Sequence, residues 1–285
     1  MESNCYKIIK VLNNNVLLAY HSDSKEEMVL VGKGIGFGRS ENTVTAISSD
    51  KIEKAYHAYD SKTREHYISL IQQLDRDVLG ISAEIISNAE NLLGPLNQHI
   101  HVALTDHIGF AMERIKMGIE INNPFLFEIK TLYPEEYRTG EIAAKMLHQA
   151  LGVEINSAEI GFLTLHFHSA RQNRKVSETV KSTRILKELV GIIHESLPYP
   201  LAADSLMYAR LITHLKTVLN RLEEHKYIQN ILLDTIKEKF PASFAIAEKL
   251  GRFIEESLQE KVTEDELGFM ALHIERIRDA HKKII

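Results

Sequence analysis

The stretch Glu159-Ile160-Gly161-Phe162-Leu163-Thr164-Leu165-His166 returns, under a 107-residue shift, as Glu266-Leu267-Gly268-Phe269-Met270-Ala271-Leu272-His273. A gapless match over that distance marks a duplicated domain. Working outward, the same shift carries His107 onto His214, Tyr133-Pro134 onto Phe240-Pro241 and Tyr137 onto Phe244. Each copy therefore holds two histidines at one fixed spacing, His107 with His166 and His214 with His273. Start signals repeat as well: Asn156 with Glu159 three positions on, and Thr263 with Glu266, read as capping pairs at helix N-termini.

Helical periodicity extends upstream. Ile71, Leu74, Val78, Ile81 and Ile85 predict one helix running to the Gly94-Pro95 stop, and a second is expected from about His99 through His107 to Lys116. Two more follow in that copy, from about Tyr137 to Leu151 and from Asn156 onward, and the polar run Gln172-Asn173-Arg174-Lys175 suits a linker. The chain before about position 57 reads differently. Tyr6 to Val11 and Val16 to Tyr20 flank the turn Asn13-Asn14-Asn15, and Met28 to Val31 is a third strand. A β unit this small buries only about 60% of its unfolded surface, so pairing with a second copy is the natural remedy.

Composition narrows the field. With 285 residues, 44% of them hydrophobic, and a net charge of -5, the chain fits a soluble multidomain protein without a global field for nucleic acid. No apolar run reaches the roughly 18 to 20 residues of a membrane span, and no signal peptide opens the chain, so a cytoplasmic location is expected. The single cysteine, Cys5, excludes an internal disulfide and a cysteine-based zinc site.

Each of the four histidines lies at the margin of a buried helical face. Singly, each reads as a partly buried structural histidine; an ionisable ring at four equivalent positions points to chemistry. Metal binding finds little support, since His99 and His101, like His166 and His168, are two positions apart and diverge by about 200° on a helix. No cofactor or catalytic partner is signalled. Reversible phosphorylation asks less: a ring nitrogen of near-neutral pKa accepts a phosphoryl group, and the added charge remodels an interface.

The loop Gly32-Lys33-Gly34-Ile35-Gly36-Phe37-Gly38-Arg39 lacks the spacing of a P-loop or a dinucleotide fingerprint. It reads either as a bulged hairpin or as a nucleic-acid surface, with Phe37 for stacking, Lys10, Lys33 and Arg39 for phosphates, and Asn13 and Asn15 for base edges or sugar hydroxyls. Residues 1–57 carry seven Lys or Arg against seven Asp or Glu, so charge alone does not decide.

Together, Val11-Leu12-Asn13-Asn14-Asn15-Val16, Gly32-Lys33-Gly34-Ile35-Gly36-Phe37 and the two histidine-bearing repeats resemble the BglG/SacY family of transcriptional antiterminators across essentially the whole chain. Leu104-Thr105-Asp106-His107-Ile108 and the stretch from Glu159 to His166 are nearest the glucose-type members. The resemblance implies an α+β multidomain fold: a small antiparallel β-sheet RNA-binding domain over residues 1–60, then two all-α helical-bundle PTS regulation domains over 61–172 and 173–285. It implies a symmetric dimer that stabilises a leader-RNA hairpin and so prevents termination of a sugar-uptake operon. The implied RNA contacts are Lys10, Asn13, Asn15, Gly32, Lys33 and Phe37. His107, His166, His214 and His273 are the implied phosphorylation sites, with enzyme II of the phosphotransferase system acting on the first domain and the phosphocarrier HPr on the second. Such a protein is a regulator, with no catalytic residue, metal or cofactor of its own. Two alternatives stay open: a phosphotransfer relay whose β module docks proteins, and a DNA-binding activator, although no helix-turn-helix is evident in the β-rich N-terminal segment.

Overall fold

A computed structural model of the chain describes residues 3–57, 61–199 and 206–282. Five strands, β1 (Ser3–Asn13), β2 (Val16–His21), β3 (Glu27–Val31), β4 (Val44–Ser48) and β5 (Lys54–His57), form one antiparallel sheet in the order β4-β1-β2-β3-β5. Side chains alternate between its two faces, and each face feeds a core. Leu17, Ala19, Met28 and Leu30 join Tyr6, Ile8, Ile35 and Ile47 in one cluster, whereas Val16, Val29, Val31 and Tyr56 join a cluster built mainly by helices.

Strand β1 departs from strict alternation, and the departure positions the functional residues. Its register with β2 slips between Ile8 and Lys10, and again between Val11 and Asn13. A β-bulge inserts an extra residue and re-aims the side chains beyond it. Val11 consequently stays with the cluster of Ile8, while Leu12 enters the helical cluster and Lys10 and Asn13 bond to helical residues.

The helices are α1 (Ser61–Gln73), α2 (Arg76–Leu93), α3 (Ile100–Lys116), α4 (Leu126–Leu132), α5 (Pro134–Leu151), α6 (Ser157–Arg171), α7 (Val176–Ser196), α8 (Leu206–Glu223), α9 (Leu233–Lys239), α10 (Pro241–Leu258) and α11 (Glu264–Lys282). The 107-residue shift carries α4 onto α9 and α5 onto α10 with identical bounds, and the start of α6 onto the start of α11. Asn156 Oδ1 accepts the Glu159 N–H at 3.0 Å, and Thr263 Oγ1 accepts that of Glu266 at 3.4 Å.

One expected element is divided. The periodic row from Ile71 to Ile85 spans two helices, because Asp75 takes an extended ψ of 145° at the start of α2. The apolar row survives the break since both halves feed one core, with Leu74 packed where a Cβ on Gly109 of α3 would lie 2.6 Å from it. The small sheet also finds cover within its own chain: Val78, Leu79, Ile81, Ile85 and Ile86 of α2 pack with Leu12, Val16, Val29 and Val31. Each such side chain contributes about 1.5–3 kcal/mol when withdrawn from water.

The chain groups into two compact units, one of residues 1–123 with 135–176, the other of Pro124–Pro134 with residues 177–285. The expected domain limit at residue 60 lies outside the described residues.

Candidate functional site

In the sheet module, the turn after β1 and the glycine loop are built as one object. Asn15 Oδ1 accepts the N–H of Gly34 at 2.9 Å, Asn15 O accepts that of Gly32, and Asn14 O accepts that of Gly36. A Cβ on Gly36 would lie 2.2 Å from Asn13 O, so only glycine allows this approach. The loop thus presents Lys33 and Phe37 outward, Phe37 at 75% exposure, as a stacking surface requires. Arg39 is committed elsewhere, donating to Ile35 O at 2.6 Å and Thr45 Oγ1 at 2.5 Å.

The other residues expected to touch nucleic acid face the helices. Lys10 Nζ donates to Ile71 O at 2.8 Å. Asn13 and Asn15 donate their amide N–H groups to the two carboxylate oxygens of Glu84 on α2, at 2.7 and 3.3 Å. Lys54 and Tyr56 of β5 reach Glu90 of the same helix at 3.4 and 3.1 Å, and Tyr56 packs against the buried His101 ring, centroids 4.1 Å apart.

The histidines meet in pairs, one pair within each repeat. On α3 and α6, the rings of His107 and His166 lie 4.9 Å apart. Burial, and secondarily the nearby His107, push the pKa of His166 down to about 3. Glu159 lies beneath the pair, 3.3 Å from His107 Nε2 and bonded at 2.5 Å to Arg114. Burial opposes its ionisation, but His107 and Arg114 together outweigh burial and hold its pKa below the usual carboxylate value. The approach of His107 to Glu159 is close without being aligned as a hydrogen bond: His107 Nε2, Glu159 Oε2, His166 Nδ1 and Arg114 Nε are all buried with no hydrogen-bond partner. Two positions beyond His166, His168 diverges to Glu136 at 3.0 Å, as the helical geometry requires.

On α8 and α11, His214 and His273 stack at 3.5 Å with 25° between their planes. They open onto a cleft lined also by Leu211, Arg221, Ile228 and Phe269. Glu266, fully buried, is held by both Arg221 Nε at 2.7 Å and Arg221 Nη2 at 2.5 Å. Burial, then His214 and Arg276, push His273 down to about 4, and burial, Arg276 and Arg221 lower His214. All these shifts favour the neutral ring.

Sequence reasoning took Glu159 and Glu266 only as capping residues and missed Arg114 and Arg221, which the same 107-residue shift relates. It also missed Glu84. Among the described residues, no three or more His, Cys, Asp or Glu are arranged to hold a metal, and no helix is long and apolar enough to cross a membrane.

Comparison with known proteins assigns three segments of the chain to known families. Residues 6–65 match the CAT RNA binding domain, and residues 83–170 and 187–277 each match the PRD domain. The chain is 34% identical over 275 residues to the transcription antiterminator LicT of Bacillus subtilis (strain 168), covering 95% of this chain and 98% of LicT. It is 33% identical over 283 residues to the GlcA/glcB genes antiterminator of Staphylococcus carnosus (strain TM300), covering 98% of both. Among solved structures it is similar to the crystal structure of GlcT CAT-PRDI, with TM-score 0.50 and 39% identity over 59% of this chain and 99% of that one.

Proposed function

The chain belongs to the BglG/SacY-type family of transcriptional antiterminators, and from that premise we propose how its parts divide the work. It is an RNA-binding antiterminator of a sugar operon under phosphotransferase-system control. Residues 1–60 bind a leader-RNA hairpin through Lys10, Asn13, Asn15, Gly32, Lys33 and Phe37, and so keep the overlapping terminator from forming. Residues 61–172 and 173–285 are the regulation domains, phosphorylated on His107 and His166 by a sugar-specific enzyme II and on His214 and His273 by HPr. The operon serves sugar uptake, of glucose in the reading nearest the sequence. The protein acts in the cytoplasm as a homodimer and catalyses no reaction of its own.

The observation that supports this reading is the close apposition of two rings at matched positions in both repeats, with burial lowering the pKa of His166, His214 and His273 toward the neutral form. A neutral ring nitrogen attacks the phosphorus of a phosphorylated side chain on the partner. The new N–P bond forms here as the donor's bond to phosphorus breaks, and the donor atom keeps that electron pair. A phosphoryl group on His107 then brings about two negative charges beside the Glu159 carboxylate. The repulsion is relieved by rearranging the first domain, which disfavours the RNA-binding dimer. A gel shift with leader RNA, before and after phosphorylation by enzyme II, tests this: bound RNA and dimer mass should both fall, and unchanged values would refute it.

A further inference from the structure

The two asparagines expected to read RNA use their carbonyl oxygens inside the turn, Asn13 Oδ1 for the Asn15 N–H and Asn15 Oδ1 for the Gly34 N–H. Their amide N–H groups remain to offer, and those are donated to Glu84. A carboxylate presents paired, negatively charged acceptor oxygens, the same chemistry as a phosphate. We propose that Glu84 is an internal competitor for RNA: it occupies the donors of Asn13 and Asn15, and RNA must displace its carboxylate to bind. This rests on the RNA-binding function proposed for the sheet module.

Three further observations favour competition. Lys10, another donor expected to meet RNA, is also held on the helical side, at Ile71 O. Gly80, one turn before Glu84, leaves room for Asn13, since a Cβ there would lie 2.4 Å from Asn13 Nδ2. Neither Gly80 nor Glu84 belongs to the repeated pattern, because the 107-residue shift puts Lys187 in place of Gly80 and Gly191 in place of Glu84. The helix that meets the sheet carries an acidic acceptor and a docking notch that its duplicate lacks. Meanwhile Lys33 and Phe37 stand exposed, so part of the surface is presented and part is covered.

The sign of one measurement decides. Binding of leader RNA by the full chain is compared for the wild type, Glu84→Ala and Glu84→Gln, with thermal unfolding as a control. A competitor lowers the fraction of protein ready to bind, so its removal should tighten RNA binding about tenfold for Glu84→Ala and less for Glu84→Gln, which keeps one acceptor. Gly80→Ala, which expels Asn13 from its notch by another route, should act in the same direction. Weaker or unchanged binding in folded Glu84 variants would overturn the inference, weaker binding meaning that Glu84 pre-orders the asparagines for RNA. Should Glu84→Ala not fold, Glu84→Gln and Gly80→Ala decide the outcome by the same sign. Failure of the underlying RNA-binding function looks different: the wild type would not bind leader RNA, or Phe37→Ala would bind as well as the wild type.

Discussion

The two regulation domains descend from one module, yet the carboxylate beneath each histidine pair is used differently. Glu266 gives both oxygens to Arg221 and is neutralised before any phosphate arrives. Glu159 divides itself between Arg114 and His107, leaving four buried polar atoms around the pair without hydrogen bonds. Around His214 and His273 the added influences are cationic, from Arg276 and Arg221, and the 107-residue shift finds Ser169 where Arg276 stands. At about 4 Å, two like charges cost on the order of 4 kcal/mol with an effective dielectric constant near 20. Under the proposed function, the first pair is therefore an electrostatic trigger that phosphate upsets, and the second a receptor that accommodates it. Similar sequence, through one shared or unshared carboxylate, then yields different responses to the same modification.

The largest effect that could break this contrast lies in the arginines. Arg221→Ala strips a fully buried Glu266 of both its bonds and should cost about 3–5 kcal/mol. Arg114→Ala leaves Glu159 its contact with His107 and should cost clearly less. Urea denaturation of both variants checks the order, and an equal loss would erase the distinction.

A smaller effect follows pH. His101 and His166 are held near 3 in the fold by burial, against 6.5 for a free ring. The unfolded chain then binds more protons than the folded one below about pH 6.5, so stability rises with pH and is lost as pH falls from there toward 3. Each of these rings contributes a slope of about 1.4 kcal/mol per pH unit. His273, lowered only to about 4, contributes over a narrower pH range, so the first unit, with two rings held near 3, should lose more stability in acid. Hydrogen exchange at about pH 7 and about pH 5 resolves the two units, and parallel losses would contradict the assignment. The smallest effect concerns the caps: Asn156→Ala should cost about 1 kcal/mol and Thr263→Ala less, its bond being the longer, as thermal melts would register.

Much of this was legible before the fold. The 107-residue shift located the repeat, its helix starts and all four histidines, because a duplicated helix bundle preserves register. The asparagine turn and the apolar runs after it located β2 and β3, which are apolar over most of their length because each face of the sheet feeds its own core. Other features lie beyond periodicity. The bulges in β1 reverse side-chain parity after Ile8, so that Lys10 and Asn13 point to two helices, α1 and α2, that no local pattern connects with them. The break at Asp75 hides within a continuous apolar row. Arg114 acts on Glu159, and Glu84 on Asn13 and Asn15, across long stretches of chain over which only the repeat gave any signal, and it gave one for Arg114 alone.

The most direct test is the leader-RNA affinity of the full chain after phosphorylation of one domain at a time. Enzyme II is applied to a His214→Ala/His273→Ala variant, and HPr to a His107→Ala/His166→Ala variant. RNA binding should weaken at least tenfold when the first domain is phosphorylated and show little or no loss when the second is. Equal loss from both, or none from the first, would contradict the division of roles between the two histidine pairs.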